Sequence, residues 1–130
     1  MTEHLVFVYG TLRKNERNAH LMETAELIAE RAWTCGRLYD TDFDFPAMVI
    51  SDDHRVYGEL YRVDNAVLHA LNLLEGYNGE GENNHYERVR RVIFTDQGEY
   101  EAYVYVYEGQ QMDEKKAIVD GEWKGVENDV

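Results

Sequence analysis

Glu75 occupies a position that is at odds with its charge. It lies four residues after Leu71 and seven after Leu68, so it falls on the apolar stripe of its segment rather than on the polar side. It also sits in the last turn of the predicted helix, where the partial negative charge of the helix end disfavours a carboxylate. Partial burial acts in the same direction, and both effects raise the pKa of a carboxyl. A group so placed is suited to taking and returning a proton near neutral pH. The plainer reading is a glutamate at the edge of the stripe that reaches water at the helix end. A second carboxylate candidate, Glu59, lies between Tyr57 and Tyr61 on one face of a predicted strand.

The other stretch with chemical potential is Leu5-Val6-Phe7-Val8-Tyr9-Gly10-Thr11-Leu12-Arg13. Leu5 to Tyr9 is a run of branched and aromatic residues that reads as a strand buried on both faces. Gly10 then lets the backbone turn, and Thr11 and Leu12 carry it into a loop. Successive N–H groups brought together in such a turn form a concavity that favours an anion or a developing oxyanion. Alternatively Gly10 simply ends the strand. Arg88 shares a strand face with Tyr86, Arg90, Val92 and Phe94, and is either a local positive charge turned inward or a salt-bridged outer residue. Tyr103, Tyr105 and Tyr107 line one face of the last strand, a ladder that could wall a cavity or only pack.

These residues need elements to hold them. Asp64 is a plausible cap and Gly76 a stop for the helix that carries Glu75, with Val67, Leu68, Leu71 and Leu74 as its stripe. An earlier helix is expected from Asn15 to about Arg31, where Ala19, Leu21, Met22, Ala25, Ile28 and Ala32 recur on one face. Strands are expected at 33–39, 47–50, 56–63, 86–94 and 100–107, the last two forming a hairpin around Asp96-Gln97-Gly98. The loop 78–85 is polar, glycine-containing and expected to be mobile. One helical turn is expected after Met112, followed by an acidic end that frays. Strands outnumber helices and hairpins join them, which gives an α+β fold with a mostly antiparallel, strongly curved sheet.

Composition sets the outer limits. The 130 residues suit one domain over 1–130, and 44% hydrophobic with 12% aromatic content is globular. Lys and Arg total 13 against 26 Asp and Glu, a net charge of −13 that disfavours nucleic acid and anionic membranes as partners. A small anionic ligand stays possible where positive charge is concentrated. The lone cysteine, Cys35, can make no internal disulfide, and no cysteine motif suggests zinc. Asp40, Asp42 and Asp44 have calcium-like spacing, but their loop has neither the central glycine nor the distal glutamate such a site uses, so a solvated turn is expected. No leader-like or membrane-spanning apolar run is present, and a cytoplasmic location is expected by default.

Five short blocks together resemble the γ-glutamylcyclotransferase-like family, particularly its small bacterial members and γ-glutamylamine cyclotransferase. They are Tyr9-Gly10-Thr11-Leu12-Arg13, Gly36-Arg37-Leu38-Tyr39-Asp40 with Phe45-Pro46-Ala47, Val56-Tyr57-Gly58-Glu59-Leu60-Tyr61, Leu74-Glu75-Gly76-Tyr77 and Tyr86-Glu87-Arg88. The resemblance implies a small mixed, mostly antiparallel β-barrel flanked by helices, with a cavity at one side. It implies that the α-amine of a γ-glutamyl group attacks its own γ-carbonyl, giving 5-oxoproline and a free amine without metal or cofactor. Glu75 would be the proton-transferring carboxylate, and Tyr9, Gly10, Thr11 and Leu12 would hold the glutamyl head. Arg88 and Tyr105 are further pocket candidates. Two departures stand out: Asn72 replaces the family's usual aspartate at a position expected on the helix surface, and the loop 78–85 is long and acidic. The rival reading is a non-catalytic module that keeps the cavity to bind a small metabolite.

Overall fold

The computed structural model describes residues 3–41, 45–108 and 112–123. Its elements in chain order are β1 (Glu3–Val8), a 3₁₀ turn at Ala19–Met22, β2 (Glu26–Cys35), β3 (Arg37–Asp40), β4 (Pro46–Val49), β5 (Arg55–Asp64), α1 (Asn65–Glu75), β6 (Glu87–Thr95), β7 (Gly98–Val106) and a 3₁₀ turn at Glu114–Lys116. Five strands close a barrel in the order β1-β5-β2-β6-β7. The neighbours are antiparallel except at the closing seam, where β1 and β7 run parallel and pair at Val6 and Tyr103. A mixed, mostly antiparallel barrel in an α+β chain is therefore the fold. The two-stranded β3–β4 sheet lies alongside and is tied to the barrel by Tyr107 N–H donating to the Met48 carbonyl at 2.8 Å.

Strand alternation divides the apolar residues between two clusters. Phe7, Ala32, Val56, Leu60, Ile93, Val104 and Val106 belong to the first, the barrel's interior. Their sequence neighbours Val6, Val8, Tyr61, Val63 and Tyr105 point the other way and meet Leu68 and Leu71 of α1 in the second. The helix thus covers the outer face of the wall formed by β1, β5 and β7. Gly58 is required where β5 passes β1, because a Cβ there would lie 2.1 Å from the Val8 carbonyl oxygen. Among the described residues no helix is long and apolar enough to cross a membrane.

The helix expected over 15–31 is not formed. Asn15 adopts a left-handed turn at φ 70°, residues 19–22 make one 3₁₀ turn, and the rest of the segment is β2. The physical reason is the barrel itself. β2 bridges β5 and β6, pairing Ala32 with Gly58 on one side and with Thr95 on the other, and without it both strands would expose an unpaired edge. Register shifts between Leu27 and Ala29 and between Ala29 and Ala32 show bulges that break the strand alternation there. The bulges bear only on Ile28 to Ala32, since Ala19, Leu21, Met22 and Ala25 precede β2. The solvated turn expected after Asp40 includes residues 42–44 and the acidic end begins at 124, both outside the described residues.

Substituting Gly58→Ala forces β1 away from β5 at the point where β1 delivers the strand-end loop. The variant should lose about 2 kcal/mol or more of stability in urea unfolding. A midpoint equal to the parent's would contradict this packing.

Candidate active site

The loop after β1 is held by a part-buried clamp. Arg13 N–H donates to the Gly10 carbonyl at 3.0 Å, and Asn18 binds Thr11 twice, through its backbone N–H to the carbonyl and through Nδ2 to Oγ1, both at 2.9 Å. Beneath the loop lies Glu59, 5% exposed. Its Oε1 accepts from Lys14 N–H and Tyr61 Oη at 2.9 Å each, and its Oε2 pairs with Arg13 Nε at 3.4 Å. None of these bonds uses the N–H of Gly10, Thr11 or Leu12, and all three residues line a cavity. Glu59 does not line it. Its oxygens are committed to the loop, so the second carboxylate candidate acts as a support in this arrangement.

Across the cavity stands the end of α1. Asp64 caps the helix start by accepting from Val67 N–H at 2.9 Å. Gly76 stops it in a left-handed conformation, φ 67° and ψ 35°, with its own N–H donating to Leu73 and that of Tyr77 to Asn72. This paired arrangement satisfies the last carbonyls of the helix. Two further bonds fasten the stop to the strand that follows the loop: His85 N–H donates to Gly76 at 2.9 Å and Tyr86 N–H to Glu75 at 3.2 Å. The position of Glu75 against the barrel wall is fixed by backbone bonds on both sides. The intervening loop, expected to be mobile, is cross-tied by asparagines, with Asn78 Nδ2 donating to the Asn83 carbonyl and Asn84 Nδ2 to Gly79, both at 2.8 Å.

The two parts face each other over a cavity of about 120 Å³. Loss of water around the Glu75 carboxyl pushes its pKa up from 4.5 to about 7. Four tyrosines lie close enough to feel its charge: burial, chiefly, and that charge in part raise the phenols of Tyr9, Tyr86, Tyr105 and Tyr107. They remain protonated, yet their hydroxyls are committed elsewhere. Tyr9 Oη donates to the Tyr105 carbonyl, Tyr86 Oη to the Pro46 carbonyl and Tyr105 Oη to Asn72 Oδ1, each at 2.6 Å, while Tyr107 Oη meets His85 Nε2 at 3.1 Å. A carboxylate surrounded by donors that are already used gains little compensation for lost hydration, and so keeps its proton.

Of the residues assigned to the site through the family resemblance, Tyr9, Gly10, Thr11, Leu12, Glu75 and Tyr105 line this cavity. Arg88 does not. It stands behind Tyr105, its guanidinium 4.8 Å from the Tyr77 ring centre and 4.2 Å from that of Tyr103, with Nη1 donating to Asn72 Oδ1 at 3.3 Å. Asn72 is accordingly half-buried and joins helix to barrel, contrary to its expected place on the helix surface. Leu74, assigned to the packed stripe, is 42% exposed at the cavity edge instead. Sequence reasoning did not single out Arg17, Asn18, Phe45, Pro46, His85 and Tyr86 as lining residues. Tyr86 and Phe45-Pro46 lay inside motif blocks that could have marked them. Arg17 and Asn18 were hidden inside the helix that does not form.

The raised carboxyl makes a stability prediction. Glu75 holds its proton to higher pH in the folded chain than in the unfolded one, so its contribution is full below about 4.5 and is lost as pH rises to about 7. Glu75→Gln removes that loss. Relative to the parent, the variant should gain about 1–3 kcal/mol in thermal unfolding between pH 5 and pH 8. A parent–variant difference independent of pH would contradict the desolvated placement.

Comparison with known proteins agrees with this architecture. The family model described as gamma-glutamyl cyclotransferase, AIG2-like, matches residues 6–125. The gamma-glutamylcyclotransferase family protein YtfP of Escherichia coli (strain K12) is 35% identical over 118 residues, covering 91% of this chain and 94% of that protein. The gamma-L-glutamyl-butirosin B gamma-glutamyl cyclotransferase of Niallia circulans is 34% identical over 103 residues, but the match spans 78% of this chain and 65% of that longer protein. Among solved structures, YkqA of Bacillus subtilis superposes with a TM-score of 0.75 at 31% identity, covering 94% of this chain and 40% of that one. An AIG2-like protein from Mus musculus shares the fold with a TM-score of 0.79 at 20% identity, covering 95% and 90% of the two chains. The chain belongs to the gamma-glutamyl cyclotransferase, AIG2-like family.

Proposed function

We propose that this protein is a cyclotransferase that converts a γ-glutamyl amine or γ-glutamyl amino acid to 5-oxoproline and a free amine, with Glu75 as the proton carrier. The observation that carries the reading is the opposition, across one small cavity, of a carboxyl raised to about 7 and the turned strand-end loop of Gly10, Thr11 and Leu12. The name of the Niallia circulans relative, whose substrate is a γ-glutamyl compound, supports it.

The chemistry follows from those two parts. The α-ammonium of the substrate gives a proton to the Glu75 carboxylate, and the freed nitrogen attacks the γ-carbonyl carbon to form the new ring bond. Negative charge develops on the carbonyl oxygen, and the N–H groups of the strand-end loop are suited to receive it. When the original γ-amide bond breaks, Glu75 returns the proton to the leaving nitrogen. The ring nitrogen, left cationic by the attack, then gives a second proton to the restored carboxylate, which passes it to the departing amine, so a single carboxyl poised near neutrality relays both protons. Because attack is intramolecular, the cavity's remaining task is to hold the substrate curled, with its amine near its own carbonyl. The Tyr9 and Tyr86 hydroxyls, bonded to backbone carbonyls, keep the walls rigid for that purpose.

The test is release of 5-oxoproline from a panel of γ-glutamyl amines, γ-glutamyl amino acids and glutathione. Glu75→Gln should lower kcat by roughly 10²–10⁴. For the parent, kcat/KM should rise with pH as the Glu75 carboxyl ionises around 7, then fall as the substrate ammonium loses its proton. Full activity in the Glu75→Gln protein would refute the assignment, and no release from any panel member would refute the reaction.

A further inference from the structure

Arg88 carries a charge that forms no ion pair among the described residues, and its Nε is buried without an acceptor. An orphaned N–H of this kind is costly and calls for a reason. The reason lies in its partner. Asn72 sits one helical turn before Glu75, and its Oδ1 accepts from both Arg88 Nη1 at 3.3 Å and Tyr105 Oη at 2.6 Å. A carboxylate at this position could accept from Nε and Nη1 together, whereas an amide offers one oxygen. The amide leaves Nε unsatisfied, but it adds no second negative charge beside Glu75.

We propose that Asn72, braced by Arg88, is a positioning residue that prepares Tyr105 to receive the substrate's ammonium group; the inference rests on the reaction proposed above. The Tyr105 hydroxyl has one proton, and that proton is given to Asn72. Towards the cavity, the oxygen can then act only as an acceptor. An ammonium group is the part of a γ-glutamyl substrate that such an acceptor suits, and the neighbouring Glu75 carboxylate is its second acceptor. Tyr105 anchors the nitrogen while Glu75 takes its proton. Arg88, clasped between the Tyr77 and Tyr103 rings, keeps the Asn72 oxygen turned towards Tyr105, and its charge and a side-chain hydrogen bond also bear on the Tyr105 hydroxyl itself.

The role is tested by a double-mutant cycle of N72L and Y105F, assayed by 5-oxoproline release from γ-L-glutamyl-L-alanine and γ-L-glutamyl-n-butylamine. In the parent background N72L should lower kcat/KM about tenfold, chiefly through KM because the lost contact is to the bound ammonium. In the Y105F background the same substitution should cost less than about twofold, since Asn72 then has no hydroxyl to direct. N72D, which keeps an acceptor oxygen, should recover most of the loss. Where N72L unfolds the chain, N72A removes the same acceptor with less bulk and serves the cycle. Equal losses in both backgrounds, or a loss confined to kcat, would overturn the role while leaving the reaction standing. The cycle is run on whichever panel member the parent turns over, and a parent that turns over none of them would overturn the reaction and this role together.

Discussion

The left-handed stop at Gly76 is the constraint on which the site depends. It ends α1 directly after Glu75, and the bonds from His85 and Tyr86 fasten that end to the start of β6. A helix continued past Glu75 would use the Glu75 and Gly76 carbonyls within itself and break the bonds that tie this end to His85 and Tyr86. Only a residue tolerant of positive φ can make the stop, and a Cβ at Gly76 would also meet the His85 Cβ at 2.8 Å. The apolar stripe of Leu68 and Leu71 presses the helix to the barrel and sets the side on which Glu75 lies, and the stop fastens that end in place.

Two glutamates at this end of the barrel show how surroundings divide identical side chains between tasks. Glu59 is the more buried residue, yet it is matched by an arginine, a backbone N–H and a phenol, and so holds the strand-end loop in place. Glu75 keeps some contact with the cavity but has no such partner among the described residues, where the phenols around it donate to carbonyls and to Asn72. A satisfied carboxylate is structural support, and an unsatisfied one is free to exchange a proton. The tyrosine-rich wall serves this division by excluding water while spending its protons elsewhere.

Much of this arrangement was legible before any coordinates. The caps Asp64 and Gly76 bracketed α1, the 3.6-residue spacing put Glu75 on the buried stripe, and the turn at Asp96-Gln97 announced the β6–β7 hairpin. Local signals of this kind are carried by the residues that use them. The failures share the opposite property. β2 is a strand along its first part because β5 and β6 need a partner, which nothing within residues 26–32 records. The commitments of Glu59 to Lys14 and of Asn72 to Tyr105 and Arg88 join residues 45, 33 and 16 positions apart, beyond the reach of periodicity. The alternating tyrosines of β7 were visible as a ladder, but their different fates, Tyr103 clasping arginines and Tyr105 walling the cavity, depend on which neighbour each meets.

The central claim is that the Glu75 carboxyl retains its proton close to neutrality because the donors around it are spent. Its most direct test is a pH titration of the side-chain carboxyl carbons by ¹³C NMR, with the Glu75 signal identified by its absence from Glu75→Gln. The account predicts a midpoint near 7 for that signal. A midpoint near the ordinary carboxyl value of 4.5 would mean that water or an unspent donor reaches the group, and would contradict the account.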